Sequence, residues 1–217
     1  YKVNASLSEA SFELGRACAF TPGWLENESV WLHMEYKYLL ELLKAGLYEE
    51  FEEDFHNAAV PFLSEDTYGR SLLENSSFIA SSANQNSRIH GKGFVARLSG
   101  STAEFLQMWQ IMMFGSNPLC IVNGELLLEF RPFIPKYLIG NTKEIKAKFL
   151  GHTEVIYKIS ELDRLVPGQY EIEEIHVYTS DGEFYEAKEL KGKRAENIRQ
   201  GNVEKIEIFI IPRNEGK

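Results

Sequence analysis

Cysteine is scarce in this sequence. Cys18 and Cys120 lie far apart and show no metal-ligand spacing. That excludes a disulfide framework and a thiolate metal site, and reads as two buried free thiols in a cytoplasmic protein. Long apolar runs are absent, so no segment reads as a membrane span, and no signal peptide is visible. Positive charge is in deficit: 23 Lys and Arg stand against 32 Asp and Glu, a net charge of −9. Neither nucleic acid nor an anionic membrane suits such a chain as its main partner, although a local basic pocket remains open to it. Internal repeats and low-complexity tracts are also missing, which sets aside solenoids and tails. No Met precedes Tyr1-Lys2-Val3, which fits a piece of a longer protein.

What is present is enough apolar matter for a core, 44% of 217 residues, in one large domain or two small ones. The first half has helical periodicity. Residues 6–19 read as a helix with Leu7, Ala10, Leu14, Ala17 and Cys18 on one side. A second runs from about Glu28 to Ala45, with Val30, His33, Met34, Tyr38 and Leu42 in helical spacing and Gly46 as its cap. A third, 47–59, has Leu47, Phe51, Phe55 and Ala58 inside and completes an αα-hairpin. From Leu63 to Gly100 the periodicity fades into Ser, Asn and Gly around Phe78, Ile79, Phe94 and Val95, which reads as an ordered binding loop. A helix from about Ser101 to Phe114 closes this half.

After Pro118 the period changes to two. Asn123-Gly124, Gly151-His152 and Asp181-Gly182 separate short alternating runs. About seven strands make an antiparallel sandwich or half-sandwich, and Lys191 to Gly201 carries at most one helical turn. The expected class is α+β, with residues 1–116 helical and 117–217 β-rich.

Two stretches carry chemistry. In the first, Gly23 to His33, a carboxylate (Glu26), an amide (Asn27) and a histidine (His33) gather near the head of a helix. In the second, Gly91-Lys92-Gly93-Phe94-Val95-Ala96-Arg97-Leu98-Ser99-Gly100-Ser101 leads into a helix whose free first-turn N–H groups suit a phosphate or other oxyanion. Glu74-Asn75 reads either as a polar turn or as a contact to sugar hydroxyls. Arg88, His90 and Lys92 form a local basic cluster. Trp24, Trp31 and Trp109 fit the core better than a sugar-stacking platform.

Glu26-Asn27, followed by His33 at the head of a helix, resembles the Glu-Asn…His motif of the cellobiose phosphorylase family. The later Gly91-Lys92-Gly93 and Arg97-Leu98-Ser99-Gly100-Ser101 resemble that family's Gly-Arg-Gly and Trp-Leu-Thr-Gly-Thr, in the same order. The wording GWLENESVWLHMEYKYLLELL, YGRSLLENSSF and HGKGFVARLSGSTAEF is more similar to the β-1,3-glucan phosphorylase relatives. The resemblance covers most of residues 1–115, and the remainder in arrangement only. It implies the last helices of an (α/α)6 barrel followed by a small antiparallel β-domain. It also implies inverting phosphorolysis of a β-linked glucooligosaccharide, with inorganic phosphate as co-substrate and no cofactor or metal.

Carried over by position, His33, Ser99, Gly100 and Ser101 would hold phosphate. Glu26 would meet the acceptor sugar; beyond that match, Asn27, Glu74, Asn75 and Arg97 are candidate substrate contacts, Arg97 either adding charge for phosphate or altering the sugar subsite. Four departures from the family stand out: Arg97 for an aromatic residue, Lys92 for Arg, Ser for two Thr, and Met34-Glu35-Tyr36 after His33. The family's general acid is an Asp in an earlier barrel segment, and nothing here matches it, so the catalytic group is expected upstream. The expected partners are the remainder of the same enzyme and a second copy of the chain. A non-catalytic carbohydrate-binding or interaction module, or part of a related (α/α)6 glycoside hydrolase, stands as the alternative.

Overall fold

A computed structural model describes residues 2–96 and 101–213. The class is α+β, and the chain divides into two compact units, Tyr1–Met108 and Trp109–Lys217. The division falls inside a helix, whereas the hydrophobic period changes at Pro118. The reason is local to the second unit: Phe114 packs on Phe130 and Phe149, and the Tyr157 hydroxyl donates to the Met113 carbonyl at 2.5 Å. Among the described residues no helix is long and apolar enough to cross a membrane.

In the first unit, helix α1 is Leu32–Ala45 and helix α2 is Tyr48–Ala58. Gly46 joins them at φ 74°. Its N–H reaches the Leu42 and Leu43 carbonyls, and the Leu47 N–H reaches Leu42 again, a left-handed cap that a Cβ would strain. The buried face of α1 is Leu32, Glu35, Tyr36, Leu39, Leu40, Leu42 and Leu43; of the residues spaced from Val30 only Leu42 belongs to it, and Met34 and Tyr38 face outward. Phe51 and Phe55 of α2 stack on each other, and Phe105 stacks on Tyr36 and Phe55.

Three expectations for this half are corrected. Residues 6–19 form two 3-10 turns, Phe12–Leu14 and Arg16–Ala19, rather than a helix. Gly15 at φ 84° separates them, and Phe12 and Leu14 stay 80% and 64% exposed, so no buried stripe stabilises a longer helix. Second, α1 starts at Leu32 and not near Glu28, because Glu28 sits at φ 59° and the next residues pair as a strand.

Third, residues 1–116 are not all helical. Strands β1 (Val30–Trp31), β2 (Ser76–Ile79) and β3 (Gly93–Ala96) form an antiparallel sheet with β2 central. A four-residue helix α3, Glu65–Tyr68, precedes it. The supposed loop 63–100 therefore carries two strands. They are too short for periodicity to reveal, and an aromatic cluster stabilises them: Trp24 stacks on Phe94 at 3.7 Å, Phe94 on Phe78 at 5.5 Å, and Phe78 on Trp31 at 5.6 Å. A Cβ on Gly93 would lie 2.6 Å from Ser76 Oγ and closer still to the Tyr68 ring, so only glycine lets β3 approach.

Helix α4, Ser101–Phe114, leads into the second unit. There β4 (Leu119–Val122) and β5 (Glu125–Leu128) form the expected hairpin about Asn123-Gly124, both at positive φ, and β10 (Leu190–Lys191) adds to β5. The larger sheet contains β6 (Glu144–Phe149), β7 (Thr153–Ile159), β8 (Tyr170–Thr179), β9 (Phe184–Ala187) and β11 (Val203–Pro212), in the order β6-β7-β11-β8-β9. It is mixed rather than purely antiparallel, because β11 inserts beside β7 in parallel register, Ile206 against Val155. The crossover carries helix α5, Lys193–Arg199, which is longer than the single turn expected.

Alternation along the central strands sets the two faces of the sheet. Ile206, Ile208, Ile210, Val155, Tyr157 and Val177 are buried on one face. The opposite face carries Lys158, Lys205, Glu207 and His176. Burial pushes the Tyr157 hydroxyl well above its usual range. For Glu207 burial acts upward, but hydrogen bonds from Tyr178 and Lys205 and the charge of Lys158 hold its carboxyl below the ordinary value.

Candidate functional site

The loop Pro22 to Ser29 is a polar structure pinned from several sides. The Asn27 amide donates to the Phe20 carbonyl at 2.7 Å, and its backbone pairs with Trp24. Asn4 brackets Asn27, donating to the Glu26 carbonyl at 3.1 Å and accepting from the Glu28 N–H at 2.6 Å. Ser81 donates to the Glu28 carbonyl at 2.5 Å, and Asn84 to the Pro22 carbonyl at 3.0 Å. Gly23 lies so close to Asn84 that a Cβ there would meet its backbone nitrogen at 2.5 Å. Leu25 and Glu28, at φ 52° and 59°, hold a left-handed conformation that side chains usually avoid.

This loop delivers the chain to the head of α1. His33 lies in the first turn, with Trp31 edge-on to its ring at 6.3 Å. Its Nε2 lies 3.8 Å from Oε1 of Glu104, an ion-pair distance rather than a hydrogen bond. Glu104 belongs to the first turn of α4, three residues after Ser101. The head of α1 and the head of α4 therefore meet within the first unit. The second oxygen of Glu104 is buried and takes no hydrogen bond among the described residues, and the same is true of Oδ1 of Asn27.

The other residues singled out by sequence fall as follows. Glu26 faces Arg16 at 2.5 Å. Glu74 is held by Arg70, Nε at 3.0 Å and Nη2 at 2.5 Å, while its carbonyl accepts from the Tyr68 hydroxyl at 2.7 Å. Asn75 Oδ1 accepts from the Tyr36 hydroxyl at 3.4 Å, and burial pushes that phenol up to about 12. Both carboxylates are thus already paired with arginines. Arg97, Ser99 and Gly100 lie outside the described residues, and Ser101 opens α4. Of the basic cluster, His90 Nε2 lies 2.7 Å from the Asn84 carbonyl oxygen, and Arg88 is exposed. Trp24 and Trp31 are engaged in the aromatic cluster.

Glu104 was not found by sequence reasoning. The signal that could have found it is the Ser101-Thr102-Ala103-Glu104 spacing, which places an acid in a helix's first turn. Ser81 and Asn84 were also missed as clamps, because nothing local marks a polar residue whose partner lies more than 50 positions away.

Two other features are on the page. A hollow of about 460 Å³ in the first unit is lined by Glu35, Asp54, His56, Thr67 and Tyr68. Burial raises the Glu35 carboxyl there. In the second unit, ligand atoms of Glu174, His176 and Glu186 lie within 4.8 Å of one another on β8 and β9. Glu174 Oε2 stands 3.0 Å from His176 Nε2, and Phe184 and Phe209 flank the ring at 5.3 and 4.7 Å. His176 pairs across the ladder with Glu186 and shares its strand and face with Glu174, which accounts for that cluster. Cys18 and Cys120 are both free, and half-buried rather than buried. No protein-family model matches the chain, and no curated protein matches it.

Proposed function

We propose that this chain is the phosphate-handling part of an inverting β-glucan phosphorylase, the head of α1 and the head of α4 together forming the anion site. One observation carries the reading: His33, from the Glu-Asn…His motif, faces the first turn of α4, the helix that follows Ser99-Gly100 in sequence. His33 and Glu104, 71 residues apart in sequence, thereby belong to one locality. A helix start offers unpaired N–H groups and the positive end of the dipole, and a charged imidazole adds a donor of the right sign.

In the reaction, a phosphate oxygen attacks the anomeric carbon from the face opposite the glycosidic bond. That bond breaks as a carboxylic acid protonates the leaving oxygen, giving a sugar 1-phosphate of inverted configuration. The acid belongs to a segment outside these residues. Part of the reading is therefore that this chain alone performs no phosphorolysis. The hydrolase alternative differs in using water, so dependence on phosphate separates the two.

The test is His33→Ala in the enzyme that contains this chain, with sugar 1-phosphate release measured against phosphate concentration. A loss of one to three orders of magnitude in phosphate use is expected, about 1.4–4 kcal/mol. Unchanged phosphate dependence, or sugar 1-phosphate made by the 217-residue chain alone, defeats the reading.

A further inference from the structure

A carboxylate beside a histidine that is to receive an anion poses an electrostatic problem. Glu104 carries charge of the same sign as phosphate, and it stands 3.8 Å from His33 Nε2. Both side chains are largely enclosed, His33 27% and Glu104 16% exposed, so solvent does not screen the pair away. Among the described residues no other ion pair engages Glu104, and its buried Oε2 takes no hydrogen bond. The dipole of α4 favours an acid in its first turn, but the enclosed Oε2 adds a desolvation cost that no hydrogen bond offsets.

The geometry of the ring offers the resolution. Nε2 is the nitrogen that lies 3.8 Å from Glu104 Oε1, which assigns the carboxylate to one side of the ring and leaves Nδ1 on the other. A neutral imidazole has a single N–H; directed at Glu104, it leaves Nδ1 as an acceptor, to which a fully ionised oxyanion has no proton to donate. The doubly protonated ring donates on both sides, to the carboxylate through Nε2 and to the anion through Nδ1. Trp31 stands edge-on to the same ring. We propose that Glu104 is a positioning residue for phosphate: it holds the His33 ring by Nε2 so that Nδ1–H is the donor to the anion. The inference rests on the reading of His33 as a phosphate ligand.

Simple repulsion and positioning predict opposite signs, which makes the test sharp. The 217-residue chain is titrated with inorganic phosphate by calorimetry, unaltered and as Glu104→Gln, His33→Ala and the double variant, with circular dichroism reporting the fold. Positioning predicts that Glu104→Gln weakens phosphate binding about tenfold although it removes a negative charge. It also predicts that the double variant binds no more weakly than His33→Ala alone, because Glu104 acts only through the ring. Glu104→Asp, which keeps the charge and withdraws it by one methylene, is expected to fall between the unaltered chain and Glu104→Gln. Binding that is equal or tighter in Glu104→Gln, where His33→Ala still loses it, overturns the proposal and leaves the phosphate reading standing. Should Glu104→Gln fail to fold, unaltered affinity in a folded Glu104→Asp overturns it instead. No binding by the unaltered chain, or binding indifferent to His33→Ala, overturns the phosphate reading and the proposal with it.

Discussion

Among the described residues, the first unit buries eight polar or charged residues, Asn27, Glu28, Ser29, Glu35, Ser76, Ser77, Ser81 and Asn84, and the second buries Thr153 and Glu207. The second unit spends its interior on aliphatic ladders: Ile206, Ile208 and Ile210 of β11 are all fully enclosed. The first unit uses much of its interior to fix a loop. Its strands are two to four residues long, and its buried Ser81 and Asn84 each tie one backbone group to another. Backbone geometry follows the same division. Positive φ at Asn123 and Leu150 of the second unit lies in hairpin turns, while at Leu25 and Glu28 of the first it lies in the stretch leading to His33. A unit that only has to stand can be built from alternation, whereas one that has to present groups in a set geometry needs specific hydrogen bonds and tolerates backbone strain.

The largest effect expected from this contrast is in the apolar ladder. Ile208 is fully buried on the central strand, between β7 and β8. Ile208→Ala should cost about 2–5 kcal/mol, measured by urea denaturation with hydrogen exchange along Val203 to Pro212. A loss below about 1 kcal/mol would mean that the ladder is not what holds the second unit.

The same contrast explains what was legible in the sequence. Alternation after Pro118, with Asn123-Gly124 and Asp181-Gly182 as turns, located the long strands, because period two is written by burial on one face. It did not reveal the parallel pairing of β11 with β7, since antiparallel and parallel partners ask the same pattern of a strand. In the first unit the existence of α1 and α2 was legible from Gly46 between them and from Phe51 and Phe55, although the start and the buried stripe of α1 were not. The strands Val30–Trp31, Ser76–Ile79 and Gly93–Ala96 were not, because fewer than five residues carry no period and their pairing is set by an aromatic cluster assembled from distant segments. Of the site, His33 was marked by motif wording. Glu104 was not, because its meaning comes from a neighbour 71 positions earlier in the chain.

A middle-sized effect is expected where the polar clamps are cut. Asn84 donates to the Pro22 carbonyl and accepts from the Asn86 N–H at 2.9 Å. Asn84→Ala leaves both without that partner and should cost about 1–3 kcal/mol. Because Trp24 follows Gly23, which packs on Asn84, tryptophan fluorescence should report the change. If Asn84→Ala costs as much as Ile208→Ala, the distinction between the two interiors fails.

The smallest effect concerns the left-handed positions, and it has opposite signs in the two units. Leu150 and Gly151, at φ 51° and 79°, are the central residues of the β6–β7 turn, closed by the His152 N–H on the Phe149 carbonyl. Asn123-Gly124 makes the same kind of turn between β4 and β5 with the residue that best tolerates it. Leu150 is 48% exposed, so its side chain contributes little to packing. Leu150→Asn should therefore stabilise the second unit by about 0.5–1 kcal/mol, a rise of a few degrees in Tm. Leu25 holds φ 52° as well, but its side chain packs on the cluster of Phe78, Ala80 and Phe94. There the relief of backbone strain is outweighed by lost burial, and Leu25→Asn should destabilise the first unit by about 1–2 kcal/mol. Stabilisation by both substitutions would mean that the strain at Leu25 is incidental; loss in one and gain in the other would mean that the first unit keeps it because the aromatic cluster requires that side chain in that place.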